Sequence, residues 1–492
     1  MEYKDILDFE SSKLLGLFNL LKSTDKNSSL EQLSEKLEVN VRTIIRSIKK
    51  LKNLFKRYEL NEHLKIRRHS KKYFYLKREN DLYLELFLVQ YLSELPEIIF
   101  LKAVIEVKTI KTKRLAEKLH ISESSMRRRV KKVNEWLTKF NIHLKRGTYE
   151  LMGEEEQIRA WILHFYWFAY QGTKNKFLLI GKDESWQLTH LLVKFFQMQI
   201  NDLQKESLFR IVQIASWRYK NGEKISIKKE WMQYTENSSI FSKFIVTMEV
   251  EKCVRNWNLE ELAYLYIIIQ AKFLPYFGSS IQAYIIEEHY VKKTTCYVKT
   301  LVATNIFRQV FWGKKFSHSK SSVVAFFGFH LYYEVVSGLP YERERSKETL
   351  QENYPSFICK VDEGLCTLVM KNRFYLRIPK DALFYRYFMI LSTLISPVYN
   401  EKRIFVCLMT DLSIEQENGL GKRIVDFFSS KYNLVVSYAR TAQSIAYTDI
   451  ILTTVVYEAL KQKYAQPILL IDGELSEALL FQIEKILKKV RK

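Results

Sequence analysis

Glycine and proline are scarce in this sequence, 14 and 7 among 492 residues. So few turn formers point to long helices. They also leave little material for the glycine-rich loops that let backbone approach a nucleotide phosphate. No HExxH, GxSxG or Walker A pattern occurs, so an enzyme is not expected, and neither is a cofactor or a metal site. The five cysteines, Cys253, Cys296, Cys359, Cys366 and Cys407, form no CxxC pair. An odd, scattered set fits a reducing cytoplasm better than a disulfide framework. Long apolar runs are missing too. Trp161–Tyr170 is too short to span a bilayer, and Leu262–Phe277 is interrupted by Gln270 and Lys272. The opening residues, MEYKDILDFE, are acidic and lack the apolar core of a secretory signal. Neither a membrane partner nor export is expected.

What is abundant is positive charge, and it is unevenly placed. The formal net charge is +23. Arg42–Arg78 holds fourteen Lys/Arg against two acids, and Lys108–Arg146 holds thirteen against three. These two windows account for nearly all of the excess. A cationic charge confined to two short segments is the electrostatic footprint of a polyanion-binding surface.

Both windows contain one repeated unit. LSEKLEVNVRTIIRSIKKL (Leu33–Leu51) aligns without a gap with LAEKLHISESSMRRRVKKV (Leu115–Val133), 82 residues on. Matched pairs include Leu33/Leu115, Glu35/Glu117, Leu37/Leu119, Arg46/Arg128, Lys49/Lys131 and Lys50/Lys132. In the first copy the spacing predicts a helix over about Ser29–Leu37, a turn at Glu38–Asn40 and a second helix capped by Asn40. That second helix is expected to bury Ile44, Ile45, Ile48 and Leu51 and to turn Arg42, Thr43, Arg46, Lys49 and Lys50 outward. In the second copy Ser122 is the expected cap. Met126, Val130, Val133 and Leu137 face inward there, and Ser124, Ser125, Arg128, Lys131 and Lys132 face out. A short helix, a turn and a basic second helix make a helix-turn-helix, whose second helix enters the major groove of double-stranded DNA. Alternating segments follow each copy, Leu64–Leu76 and Ile142–Leu151. Both read as hairpins with basic tips, at Arg67, Arg68, Lys71 and Lys72 and at Lys145 and Arg146, which would rest on phosphates as wings do.

With these units in place the chain resembles the Mga/AtxA family of Gram-positive virulence and global transcription regulators. Leu33–Leu51, Leu115–Val133 and LMGEEEQIR (Leu151–Arg159) carry the resemblance. It implies a mainly α, multidomain fold. Two winged helix-turn-helix domains occupy 1–80 and 81–152. Two helical domains of the kind that regulate in response to the sugar phosphotransferase system occupy 153–278 and 279–398. An α/β domain like the EIIB component of sugar transporters occupies 399–492. The residues themselves show two mainly helical segments divided at LPYFGSS (Leu274–Ser280), then a short alternation of strands and helices after residue 399. The function implied is DNA-binding regulation of virulence or carbohydrate-linked genes. Alternatives are an RNA-binding antiterminator or a phosphotransferase component sharing the regulatory domains. Antiterminators begin with a small β-rich domain, whereas this chain begins with helices.

The resemblance also implies phosphorylation of an exposed histidine by the phosphocarrier protein of that system. His164 and His330 lie among aromatics and read as buried, while His289 and His318 have more polar settings. His190 is the candidate. It shares a polar stripe with Gln187, Lys194 and Gln197, opposite Leu188, Leu191, Leu192 and Phe195. The later histidine of such domains has no counterpart, Gln270 standing at that helix. Cys407 sits on the first strand of the last domain, where true EIIB proteins carry their phosphorylated cysteine. The following LMTDLSIE has no glycine and puts Asp411 and Glu415 where an anion would sit. Cys407 therefore reads as core, and the domain as a relic through which the chain forms a homodimer.

Overall fold

The computed structural model describes residues 5–23, 28–69, 73–107, 110–173, 182–249, 254, 256–311, 320–340, 350–351, 353–441, 445–456, 462–472 and 475–491. They form two compact units, residues 1–294 with 331–339, and residues 295–330 with 340–492.

The first unit opens with α1 (Phe9–Ser23), α2 (Leu30–Leu37) and α3 (Val41–Arg57). A capping box starts α2: the Ser29 hydroxyl accepts the Gln32 N–H, and the Gln32 side chain accepts the Ser29 N–H, both at 3.1 Å. Glu38, with φ 53°, ends the helix in the left-handed region, which sets the tight turn into α3. A three-stranded antiparallel sheet follows, in the order β1 (Ser28–Ser29), β3 (Tyr73–Arg78), β2 (Leu64–Arg68). The β2–β3 hairpin pairs from Leu64↔Arg78 to Arg68↔Phe74. It is the expected first wing. Next come α4 (Asp81–Ser93) and α5 (Pro96–Glu106). Phe87 of α4 stacks near Phe18 (4.6 Å) and Phe55 (4.9 Å) and closes the first core.

The second copy comprises α6 (Thr112–Lys118), α7 (Glu123–Thr138) and the strand pair β4 (His143–Leu144) and β5 (Leu151–Met152). This second wing is shorter than the alternation suggested, with two residues in each strand. Gly147, at φ +94°, makes the turn that an L side chain would strain.

Helices α8 (Glu155–Tyr170), α9 (Lys182–Phe195), α10 (Asp202–Lys220), α11 (Ser239–Glu249), α12 (Leu259–Phe273) and α13 (Ser279–Lys292) complete the first unit. A buried ionic network locks α8, α10 and α12 together. Arg159 of α8 donates to Glu261 of α12 at 2.6 and 2.9 Å and to Glu155 at 2.7 Å. Arg218 of α10 donates to Glu155 at 2.6 Å, and Glu261 also accepts the Ile225 N–H at 2.8 Å. Two arginines and two glutamates balance. Removing one member of such a buried pair costs about 3–5 kcal/mol, because the other charge is left unpaired.

The second unit contains α14 (Thr295–Val310), most of α15 (Lys320–Val335), α16 (Pro355–Lys371) and α17 (Lys380–Leu394). Gly364 lets α16 approach the Phe307 ring of α14, where a Cβ would collide. Beyond them lies a parallel four-stranded sheet, β7 (Leu434–Tyr438), β6 (Ile404–Met409), β8 (Ile450–Thr453), β9 (Ile468–Leu470), in that order. Helices α18 (Ile414–Phe428) and α19 (Glu477–Arg491) share its core: Ile404, Val406 and Leu408 pack with Leu420, Ile424, Ile483 and Leu487. These strands and helices form the alternation that the sequence shows after residue 399.

Candidate nucleic-acid interface

The two recognition helices are built alike. Asn40 caps α3, its Oδ1 accepting the Thr43 N–H at 2.8 Å and the Thr43 hydroxyl at 2.9 Å. Ser122 caps α7, its Oγ accepting the Ser125 N–H at 3.2 Å. Each helix turns one apolar stripe inward, Ile44, Ile48, Leu51 and Phe55 in α3, and Met126, Val130, Val133 and Leu137 in α7. At 100° per residue this geometry forces the intervening cations outward. Arg42, Arg46, Lys49, Arg128 and Lys131 are exposed, as is Ser124. Thr43 and Ser125 are half-buried at the caps. One expectation fails: Ile45 is 51% exposed. It stands 100° from Ile44, off the edge of the inward stripe.

The first wing presents Arg67 and Arg68 to solvent, with the Arg68 guanidinium 5.8 Å from the Phe74 ring. Lys71 and Lys72 lie outside the described residues. On the second wing Lys145 and Arg146 are exposed, and Lys145 pairs with Glu150 at 3.1 Å.

An element that sequence reading missed joins the two copies. The repeat-equivalent lysines Lys50 and Lys132 are both held by the segment before and at the start of α1. Lys50 pairs with Glu10 at 2.7 Å, and Lys132 donates to the Leu7 carbonyl at 2.5 Å. Lys139 pairs with Asp5 at 2.6 Å. Between them, Arg129 bridges Asp8 (2.7 Å) and the buried Glu97 at the start of α5. Burial pushes the Asp8 carboxyl up, but the Ser11 N–H and Arg129 outweigh it and hold the group below its ordinary value. Burial dominates at Glu97 and raises its carboxyl despite Arg129. The available signal was the run of acids in DILDFE, which in the sequence marks only the lack of an export signal.

The regulatory candidates separate by burial. His190 is exposed on α9 with Gln187 and Lys194 along the same stripe, its ring 5.9 Å from that of Trp186, whereas Gln197 lies past the end of the helix at φ 50°, off the expected stripe. His330 is fully buried between Thr300 (2.9 Å) and the Tyr387 hydroxyl (2.7 Å), and burial pushes it down to about 3. His289, with its polar sequence setting, is buried too, 3.2 Å from both Gln270 and Thr294, and also falls to about 3. His164 is half-buried rather than buried, 3.4 Å from the Tyr332 hydroxyl. His318 lies outside the described residues. Cys407 is buried in β6, and burial raises its thiol. Asp411 pairs with Thr454 (2.7 Å), Glu415 is exposed, and the buried Glu417 takes the Thr410 hydroxyl (2.9 Å) and Arg440. Among the described residues no cluster suits a metal ion, and no helix is long and apolar enough to cross a membrane.

Comparison with known proteins bears on this surface directly. Residues 13–63, which hold α1 to α3, match a helix-turn-helix domain family. Residues 80–166, from α4 into α8, match the Mga helix-turn-helix domain. The second copy thus lies in a segment similar to the helix-turn-helix domain of the Mga family. The chain is also similar to the capsule synthesis positive regulator AcpB of Bacillus anthracis, 22% identical over 240 residues. That match spans about half of each protein, 48% of this chain and 48% of AcpB. The Mga model starts before α6 and runs on into α8. The α4–α5 pair, including Glu97, thus lies within the segment similar to the Mga helix-turn-helix domain.

Asp8 gives a pH-dependent test of the joint between the copies. Its folded-state value is lowered, so its contribution to stability is fully present above the ordinary aspartate value of about 4. The contribution is lost as pH falls through the lowered value. Asp8→Asn should therefore melt below the wild type at neutral pH, and the gap should close in acid. A gap independent of pH in thermal melts would mean that the charge is not what holds the joint.

Proposed function

We propose that this chain is a transcription regulator that grips duplex DNA with α3 and α7 in the major groove and both wings on phosphates. The observation that carries the reading is the pair of repeat-related helices, each capped, each packed on one face, each presenting arginine and lysine on the other. DNA is the polyanion whose groove admits a helix of this kind. The wings, at Arg67, Arg68, Lys145 and Arg146, are the right chemistry for phosphate contact. Lys50 and Lys132, held by the N-terminal segment, would either exchange that partner for phosphate or act as positioning groups. The name of the relative, a positive regulator of capsule synthesis, supports virulence-linked target genes. A regulator of this type works in the cytoplasm, where its DNA lies. Replacing Arg42, Arg46, Lys49, Arg128, Lys131 and Lys132 together by alanine should weaken duplex binding. It should also flatten its salt dependence, by about one log–log unit for each phosphate that no longer meets a cation. An unchanged slope would refute the assignment of these helices.

An enzymatic reading as a phosphotransferase component is disfavoured by Cys407, since a buried thiol raised in pKa is a poor nucleophile. An RNA antiterminator is disfavoured by the helical N-terminal half. We retain the five-domain order 1–80, 81–152, 153–278, 279–398 and 399–492 as the working division, with the last domain serving association. Exposed aromatic side chains on α18 and α19, Phe427 (50% exposed) and Phe481 (67% exposed), support that role. Phe427→Glu with Phe481→Glu should shift the full chain from dimer toward monomer in sedimentation. A wild type that stays monomeric at tens of micromolar, a range where a stable dimer would be fully assembled, would refute it.

The same reading makes His190 the site of control. An exposed imidazole on a helical stripe is reachable by a phosphocarrier protein, whereas His289 and His330 are enclosed. Phosphorylation would add up to about two negative charges there, with Lys194 one turn away to meet them. His190→Ala should abolish acid-labile phosphate incorporation in the presence of the phosphocarrier system while leaving duplex affinity intact. A wild type that takes up no phosphate, or a variant that takes up as much, would leave His190 as a surface residue.

A further inference from the structure

The repeat aligns the recognition helices residue by residue, and it divides their outward faces into two classes. Arg46/Arg128, Lys49/Lys131 and Lys50/Lys132 keep their charge at the 82-residue offset. These are the positions that suit phosphate, which is the same at every base step. Ile45 and Arg127 occupy one equivalent position and have opposite chemistry. Ile45 has no donor or acceptor, and Arg127 is a forked donor.

Both side chains face water. Ile45 is 51% exposed, the single large apolar side chain so exposed on α3 among the described residues. The Arg127 side chain is 68% exposed and meets Glu123 at 2.8 Å, an exposed pair within one helix that holds it weakly. Ile45 lies one turn from Arg42 and Lys49 and next to Arg46, all exposed. A cationic rim that draws in a phosphate backbone would therefore carry this apolar side chain into the groove. In the major groove the base edges present one apolar group, the C5 methyl of thymine. Arginine at the same position matches the O6 and N7 acceptors of guanine.

We propose that the two helices read unlike half-sites, with Ile45 packing on a thymine methyl under α3 and Arg127 donating to a guanine under α7. The proposal rests on the DNA-binding reading above and adds what each helix distinguishes. It gives the repeated domains a reason to differ: a single chain would recognise an asymmetric sequence in a fixed direction.

The test uses the full chain and a randomised duplex pool. Sites selected by the wild type should hold a thymine whose replacement by uracil, which removes only the methyl, weakens binding about four-fold, the worth of burying one such group. Ile45→Ala should keep the salt slope and lose both the thymine preference and the sensitivity to uracil. Ile45→Arg should select guanine in place of that thymine, while Arg127→Ala should leave the thymine untouched and relax the guanine. If the wild type is indifferent to uracil throughout its selected sites, or if Ile45→Ala keeps the thymine preference, the assignment of Ile45 is wrong. If the wild type binds no duplex in a salt-dependent way, the DNA-binding reading falls, and this one with it.

Discussion

Arg129 stands where three pieces of the N-terminal half meet. It projects from α7, it is held by Asp8 from the segment that begins α1, and it reaches the buried Glu97 at the start of α5. Its guanidinium, still more firmly protonated than usual because these carboxylates outweigh burial, cannot give up its charge. The position of α7 relative to the first helix-turn-helix rests on this contact and on its neighbours at Lys50, Lys132 and Lys139. If α3 and α7 meet one stiff duplex, as proposed, their separation must be set before they arrive. Here acids near the N-terminus set it by neutralising part of the same cationic surface.

The helical region behind α7 shows the same economy of charge in a drier setting. Arg159, Glu261, Glu155 and Arg218 are withdrawn from water and satisfy one another, so α8, α10 and α12 can meet only in one register. A buried network of this sort fixes arrangement more than it adds stability. α8 also closes the Mga-type module, since the family match continues to residue 166. The DNA-binding part and the first helical region therefore share an element. A change in the packing of that region has a covalent route to the recognition helix.

The last domain is held by packing on a parallel sheet. Its strands pair in parallel in the order β7-β6-β8-β9, and both faces of β6 and β8 are buried. After β6 the buried Glu417 carboxylate takes the Thr410 hydroxyl and Arg440. An internal anion in that place repels an incoming one. The packing of the sheet depends on shape and area, whereas the binding of an anion depends on a few polar atoms.

The sequence by itself determined what depends on local order. Periodicity placed α2, α3, α6 and α7, the caps at Asn40 and Ser122 followed from their side chains, and the strands of the last domain followed from short apolar runs. These are interactions within a few residues, and each leaves a repeat or a punctuation mark in the chain. Ile45 escaped because an apolar letter inside a helix does not say on which side of the stripe it falls. His289 escaped because its cover, Gln270 and Thr294, belongs partly to another helix. The contacts from Asp5, Leu7, Asp8 and Glu10 to α3 and α7 were decided only by the tertiary structure. Those to α7 and its cap join residues 121 to 134 positions apart, and no periodicity records which acid will meet which lysine.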